Sequence, residues 1–153
     1  MSGDVSQGNT IEELINKIGT SALIVMFVFI LAIAILVIVA MWKIFQKAGE
    51  PGWKAIIPFY NSYTMYKIVW DTKFFWINFG LGVLTGIINF LPPLAFLSYI
   101  ISIAAFVIEV MLLNKLAKSF GHGTGFTIGL IFLPYVFFLI LGFGSDEFIK
   151  TDE

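Results

Sequence analysis

Cysteine and arginine are absent from this chain, histidine occurs once, and charged residues are scarce. Without cysteine there is no disulfide, no thiol nucleophile and no thiolate metal site. The single histidine, His122, lies in a glycine-rich link and indicates a surface turn more than a metal or catalytic site. Only 12% of the 153 residues are charged, whereas 59% are hydrophobic. A soluble domain of this length cannot bury that much apolar surface, so the composition predicts a membrane protein.

Four apolar runs predict four transmembrane helices. The runs cover residues 22–41, 74–91, 94–113 and 126–143. Each contains 18 or 20 residues, and about 20 helical residues cross a hydrocarbon layer of about 30 Å. Open strands would leave unpaired amides in lipid. The predicted fold class is therefore all-α, a polytopic membrane protein.

The segments outside these runs define the predicted domains. Residues 1–20 are expected to form a polar and amphipathic outer segment, 21–144 the membrane domain, and 145–153 an acidic outer tail. Residues 1–9 are expected to be loose, and Thr10 and Glu13 have the spacing of a capping box. The residues after Thr10 have two interpretations: a short amphipathic helix on the outer surface, or the solvated start of the first span.

The lysines predict the orientation. All nine basic residues are lysines, and seven lie in two segments, after the first run and after the third. These are Lys43, Lys47, Lys54, Lys67, Lys73, Lys115 and Lys118. The tails and the outer turn are mainly acidic: Asp4, Glu12, Glu13, Asp146, Glu147, Asp152 and Glu153. Because positive charge is retained in the cytoplasm, both lysine-rich segments are predicted inside and both termini outside.

The segment between the first and second runs is rich in aromatic residues. Residues 53–70 are apolar but interrupted by Pro58 and Asn61, which makes them unsuited to spanning. Rings with one polar edge belong at the headgroup level. We therefore expect one or two short amphipathic helices in, or dipping into, the cytoplasmic interface. The candidate interaction surface comprises Trp53, Pro58, Tyr60 and Asn61.

Glu109 is the one acidic residue inside a predicted span. Charged groups at membrane depth are costly, which makes Glu109 a candidate ion or proton site. The alternative is a carboxylate near the inner interface, hydrated or paired with a lysine. Asn78 and Ser102 could line a polar path with it, although bonding between packed helices explains them as well.

Glycines in two spans have the small-xxx-small spacing that lets helix backbones approach. They are Gly82 and Gly86 in the second span, and Gly125 and Gly129 in the fourth. The glycines around His122 are not a nucleotide loop, because no strand is predicted before them. No cofactor and no metal site are predicted.

Four motifs in a fixed order resemble a known family. They are Trp42–Gly49, Pro51–Asn61, Leu116–Gly121 and Leu141–Gly144. The chain resembles, over about residues 26–148, small bacterial integral-membrane proteins of unknown function. Similar modules precede some bacterial signal peptidases I. The resemblance implies a bacterial inner-membrane location and a link to secretion or processing machinery. It implies no peptidase activity, because no outer domain with a Ser–Lys dyad is present in these residues.

The function expected from these observations is association without catalysis. The chain would be a self-assembling subunit, or an accessory or scaffold of an envelope complex. Its expected partners are the lipid bilayer and either a homo-oligomer or an envelope protein complex, with no nucleic acid. The alternative is a small channel or transporter with a polar path near Asn78, Ser102 and Glu109. An intramembrane enzyme is a weaker third hypothesis.

Overall fold

The computed structural model describes residues 3–150, with side chains from residue 13 onward except at positions 92 and 95. The helices are α1 (Gly3–Lys47), α2 (Pro58–Val69), α3 (Thr72–Asn89), α4 (Ala95–Ser119), α5 (Thr124–Phe132) and α6 (Pro134–Phe143). Short 3₁₀ helices occur at Gly52–Ala55 and Pro92–Leu94. No strand occurs within residues 3–150, which confirms the all-helical class. The chain divides into two compact units, Met1–Leu36 and Val37–Glu153.

The first unit is helical throughout its described residues. The prediction that residues 1–9 are loose is wrong for residues 3–9, and the helix does not begin at the capping-box residue Thr10. The helix extends past Thr10 toward the N-terminus because helix propagation is cooperative once a long apolar segment is helical. Most of the large apolar side chains from Leu23 to Leu36 are exposed in the isolated chain.

Among the helices of residues 3–150, two are long and apolar enough to cross a membrane. The stretches are Glu13–Lys47 in α1 and Phe96–Ser119 in α4. The 18 residues of α3 correspond to the predicted second span but include Lys73 and Asn78. The turn at Pro92–Leu94 joins α3 to α4, and the two helices pack against each other, as expected for a short connection.

Glycine ends α1 and α4 in the same way. Gly49 and Gly121 have φ of 77° and 76°, a region that favours glycine. The amides that follow reach back to the last turn: Glu50 N donates to Phe45 O, and His122 N donates to Ala117 O. These are Schellman caps. At the start of α3, the N-cap residue Asp71 accepts a hydrogen bond from Lys73 N at 2.8 Å through its side chain.

The aromatic segment folds back along α3. The 3₁₀ helix at Gly52–Ala55 is followed by α2, which begins at Pro58. Ring pairs then run antiparallel: Phe59 lies 5.6 Å from Phe79, and Trp70 lies 3.6 Å from Phe74. The segment is thus two short helices, and α2 packs lengthwise against the first half of α3.

The fourth apolar run is not one helix. Residues 126–143 form α5 and α6, which are separated at Leu133 (φ −132°, ψ 54°). The break is not a kink within one continuous span, because Pro134 begins a new helix and keeps the residue before it out of the helical region. Phe137 of α6 packs directly on Gly129 and against Phe126 of α5. The two helices therefore form a hairpin, and the prediction of a single fourth span is wrong.

The chain after α6 returns to the end of the fold where α1 and α4 finish, which we call the lysine-rich end. Lys47 Nζ donates to Leu141 O at 2.6 Å and to Gly144 O at 2.8 Å. Ile149 N donates to Ser119 O at 2.7 Å. These contacts place residues 144–149 beside the ends of α1 and α4.

The same contacts correct a prediction of topology. The sequence predicts His122 inside and Asp146 outside, yet His122 Nε2 lies 3.0 Å from Asp146 Oδ2. Two groups in contact cannot lie on opposite faces of a bilayer of about 30 Å. The tail at 145–150 therefore lies on the same side as the lysine-rich segments. Asp152 and Glu153 lie outside the described residues.

Candidate functional site

The residues of the predicted interaction surface have different environments. The rings of Trp53 and Tyr60 lie 5.7 Å apart, and each residue is 45% exposed. Pro58 is exposed at the first turn of α2. Asn61 is half-buried and donates to Ala55 O at 3.2 Å, which ties α2 to the preceding 3₁₀ helix. Trp53 and Tyr60 thus face outward, whereas Asn61 holds the local fold.

Gly52 explains how this surface is attached to the last turns of α1. A Cβ at Gly52 would overlap the ring of Trp42, so the 3₁₀ helix packs directly against the indole. Glu50, just before it, accepts hydrogen bonds from Lys54 and Lys67, each at 2.6 Å. These bonds lower the pKa of the Glu50 carboxyl. The aromatic segment is therefore anchored at both of its ends.

Glu109 lies in the wall of a cavity of about 300 Å³ between α2, α3 and α4. A chain of side-chain hydrogen bonds crosses it. Asn78 Nδ2 donates to the Tyr66 hydroxyl at 2.9 Å, and this hydroxyl donates to Glu109 Oε2 at 3.4 Å. Each of the three helices supplies one member, so the chain depends on how they pack.

Tyr66 is the buried centre of this chain, at 3% exposure. Burial, and then the charge of the nearby Glu109 carboxylate, raises the pKa of Tyr66 to about 12. The phenol therefore keeps its proton at neutral pH and stays a hydrogen-bond donor. Sequence reasoning misses Tyr66, because composition does not distinguish one tyrosine among several in residues 53–70.

The polar path predicted from the sequence is assembled only in part. Asn78 and Glu109 line the cavity, together with Asn61 and Ser62. Ser102 is exposed on α4 and is not among the lining residues. The remaining lining, apart from Tyr66, is apolar: Met41, Met65, Phe75, Phe79, Leu112, Leu113 and Phe138.

Most of the glycines predicted to mediate helix packing have no close neighbour. A Cβ added at Gly82, Gly86 or Gly125 would meet nothing within 4 Å. Gly129 does mediate packing, through Phe137. A close approach between backbones occurs at a glycine not singled out in the sequence: a Cβ at Gly142 would lie 2.7 Å from the Cα and O atoms of Ala40.

Comparison with known proteins identifies a family without assigning an activity. A family model described as a family of unknown function, DUF5684, matches residues 53–151. No curated protein and no solved structure shows significant similarity to the chain. The match includes the aromatic segment and all of α2 to α6, and therefore most of the residues that line the Glu109 cavity.

Proposed function

We propose a function from the geometry, because the chain belongs to the DUF5684 family, whose name assigns no activity. The protein is a non-enzymatic integral membrane protein of the bacterial inner membrane that acts by association. It would work as a self-assembling subunit, or as an accessory of a secretion or processing complex. The resemblance to modules that precede signal peptidases motivates the second form.

The proposed topology has three crossing helices, α1, α3 and α4, and one re-entrant hairpin, α5–α6. At 1.5 Å per residue, the 9 residues of α5 and the 10 of α6 each cover about half of a ~30 Å hydrocarbon layer. The bend between them keeps its backbone bonded: Leu133 N donates to Gly129 O, and Leu133 O accepts from Val136 N. Such pairing is what irregular backbone at membrane depth requires.

The orientation is proposed from charge. Eight lysines, including Lys150 of the returning tail, lie at or near the lysine-rich end, which makes this end cytoplasmic and places the beginning of α1 outside. Lys47 lies 5.6 Å from the Phe120 ring, and Lys115 lies 5.6 Å from the Trp70 ring. Both lysine-rich segments therefore come together in the fold, and the tail from residue 144 joins them inside.

The observation that carries the proposal is the outward-facing pair Trp53–Tyr60. These rings are half-exposed, yet they are mounted on a segment fixed by Gly52, Glu50 and Asn61. A rigid aromatic surface can bind a partner at little entropic cost, since few rotamers remain to be ordered. Exposed apolar groups elsewhere on the spans face lipid in this topology.

The test is a Trp53→Ala/Tyr60→Ala variant, purified in a mild detergent. We expect nearly unchanged thermal stability, because neither ring belongs to the buried core, together with loss of self-association or of co-purifying envelope proteins. Phe96→Ala/Tyr99→Ala, which removes exposed rings from the far end of α4, is the matched control. Retention of every association by a stable Trp53→Ala/Tyr60→Ala variant would exclude this surface.

The alternative function, a small channel or transporter, is favoured by the Asn78–Tyr66–Glu109 chain beside a cavity. Ion or proton flux through reconstituted protein tests it. Flux that disappears in Glu109→Gln and persists in Ser102→Ala would rank transport above association, because Ser102 lies outside the cavity. Absence of flux in the wild-type protein would remove this alternative.

A further inference from the structure

Glu109 brings a negative charge to its cavity without a cationic partner among the described residues. None of the ion pairs that the described side chains form involves Glu109, and none of their lysines lines the cavity beside it. The hydrogen bond that its Oε2 atom accepts comes from the Tyr66 hydroxyl, at 3.4 Å. A neutral phenol does not balance the charge of a carboxylate, so the wall of the cavity keeps a net negative charge.

The position of Glu109 makes this charge costly. Glu109 lies ten residues before Ser119, the last residue of α4, or about 15 Å along the helix from its cytoplasmic end. The 25 residues of α4 extend about 37 Å, which exceeds a hydrocarbon layer of ~30 Å by only about 7 Å. Glu109 therefore lies below the lipid headgroups in the proposed topology, even with all of this excess at the cytoplasmic end. Charged groups at such a depth are normally turned to the protein interior and paired.

The amide side chains in the wall leave acceptors for a ligand. Asn78 Nδ2 donates to the Tyr66 hydroxyl at 2.9 Å, and Asn61 Nδ2 donates to Ala55 O at 3.2 Å. Each amide thus has its nitrogen on an acceptor of the protein, while its carbonyl oxygen accepts no hydrogen bond from the described residues. The Tyr66 hydroxyl in turn spends its hydrogen on Glu109. A ligand that donates N–H groups complements these oxygens.

The rest of the lining is apolar and disfavours a bare metal ion. Seven of the twelve lining residues are methionine, phenylalanine or leucine, and Glu109 is the one carboxylate among the twelve. A calcium or magnesium ion takes about six or more oxygen ligands, whereas an organic group gains from burial against apolar side chains. The volume of about 300 Å³ is at the small end of the range for ligand pockets.

We propose that the Glu109 cavity binds a small organic molecule in which a primary ammonium group is attached to an apolar body. The ammonium group pairs with the Glu109 carboxylate, and its remaining N–H groups donate to the amide oxygens of the wall. A quaternary ammonium group has the charge but no N–H group to donate. The apolar body packs against the phenylalanine, methionine and leucine side chains.

This binding site is independent of the proposed association, because Trp53 and Tyr60 do not line the cavity. It gives the transport alternative a substrate class, yet it requires no transport. A stable protein that binds the ammonium compound and shows no flux therefore removes only the transport alternative.

Calorimetric titration of the full chain in a mild detergent tests the proposal, with protein-free micelles as the blank. The probe is phenethylammonium. Phenethyl alcohol has the same skeleton without the charge, and trimethylphenethylammonium has the charge without the N–H groups. We expect the primary ammonium to bind about tenfold more tightly than either analogue, because hydrogen bonds to charged groups contribute at least that much.

Variants assign the binding to this carboxylate. Glu109→Gln keeps the size and removes the charge, and it should weaken binding of phenethylammonium about tenfold. Glu147→Gln removes the same charge from an exposed position outside the cavity and should leave binding unchanged. Leu113→Phe keeps the carboxylate but takes up space in the cavity, so it should also weaken binding, and it tests the same cavity should Glu109→Gln fail to fold. The thermal stability of each variant is measured first.

Three outcomes overturn the inference. Absence of binding to the wild type, or equal affinities for phenethylammonium and phenethyl alcohol, would remove the requirement for charge. A trimethylated analogue that binds as tightly as the primary ammonium would remove the requirement for N–H groups. Unchanged binding to a stable Glu109→Gln or Leu113→Phe variant would place the site elsewhere. The association surface is tested at Trp53 and Tyr60, so the failure of one proposal leaves the other standing.

Discussion

Single residues decide where the chain can pack closely. Gly142 lies against the backbone of Ala40, and its missing side chain permits α6 to touch the last part of α1. Gly82 and Gly86 have the small-xxx-small spacing, but a Cβ at either position would have no neighbour within 4 Å. Spacing alone therefore does not identify the glycine that mediates a contact.

Gly142→Ala should destabilise the protein by about 1–3 kcal/mol, because the new methyl overlaps backbone atoms that cannot rotate away. Gly86→Ala is the matched change. It should be neutral or stabilising by up to about 1 kcal/mol, since alanine is the better helix former. Thermal unfolding of both variants in the same detergent measures the difference. Equal stability of the two would contradict the Gly142–Ala40 contact.

The Glu50 carboxyl should make the stability of the folded protein depend on pH. Its pKa is lowered from 4.5 by hydrogen bonds from Lys54 and Lys67. A group whose folded pKa is lowered contributes stability above its unfolded pKa, and this contribution is lost as pH falls through the folded value. Glu50→Gln should thus be less stable than the wild type near neutral pH, and the gap should shrink below pH 4.5. A stability difference between wild type and Glu50→Gln that does not change with pH would mean that the carboxylate charge does not contribute to stability.

Among the helices, two hairpins organise the second unit. The α2–α3 hairpin forms a cavity lined by aromatic side chains of both helices, and part of the wall of the Glu109 cavity. The α5–α6 hairpin opens toward the lysine-rich end and brings the tail back to Lys47 and His122. Lys47 also places a positive charge at the C-terminal end of α6, where the helix dipole favours it. Contacts at the lysine-rich end, where α5 begins and α6 finishes, therefore fix the second hairpin.

A short bismaleimide should cross-link His122→Cys to Asp146→Cys in native membranes, since the two native side chains are in contact. Tyr99→Cys with Asp146→Cys is the control pair. Position 99 lies 20 residues before the end of α4, about 30 Å along the helix axis, and should not cross-link. Cross-linking is read as a mobility shift after cleavage between the two sites. No reaction at 122/146 in a folded double variant would rule out the return of the tail.

Over the molecule as a whole, charge is segregated. The formal net charge is −1, yet eight of nine lysines gather at the lysine-rich end, because Lys150 in the returning tail lines a cavity there with Lys47 and Lys67. Asp146 lies there as well, paired with His122. The proposed orientation in a membrane depends on this lysine excess, because acidic residues contribute little to the positive-inside rule.

Single cysteines report this orientation, and the native chain has none that would react. Ser6→Cys should react with an impermeant maleimide in intact cells. Gln46→Cys, Thr124→Cys and Ser145→Cys should react only after the membrane is opened, because all three belong to the cytoplasmic side in the proposed topology. Labelling of Ser145→Cys from outside, with Thr124→Cys protected, would restore four crossings.

Local sequence is enough to predict the all-helical class, the membrane-protein composition and several helix ends. Glycine at 49 and 121 ends its helix whatever surrounds it, and Asp71 caps α3 from within its own turn. The expectation of short helices in the aromatic segment is also confirmed. The extent of α1 toward the N-terminus is not predicted, since a weak capping signal competes there with helix propagation.

Tertiary packing sets the path of residues 124–143 and the composition of the site. The 18 apolar residues at 126–143 satisfy one crossing or two half-crossings equally well in hydropathy. The choice depends on Lys47 and Ala40, which contact Leu141 and Gly142 from about 100 residues away in the sequence. Ser119 holds the tail beyond this segment, through Ile149. The Asn78–Tyr66–Glu109 chain likewise joins three helices. Which polar side chains meet is set by helix packing, and that information is absent from any single segment.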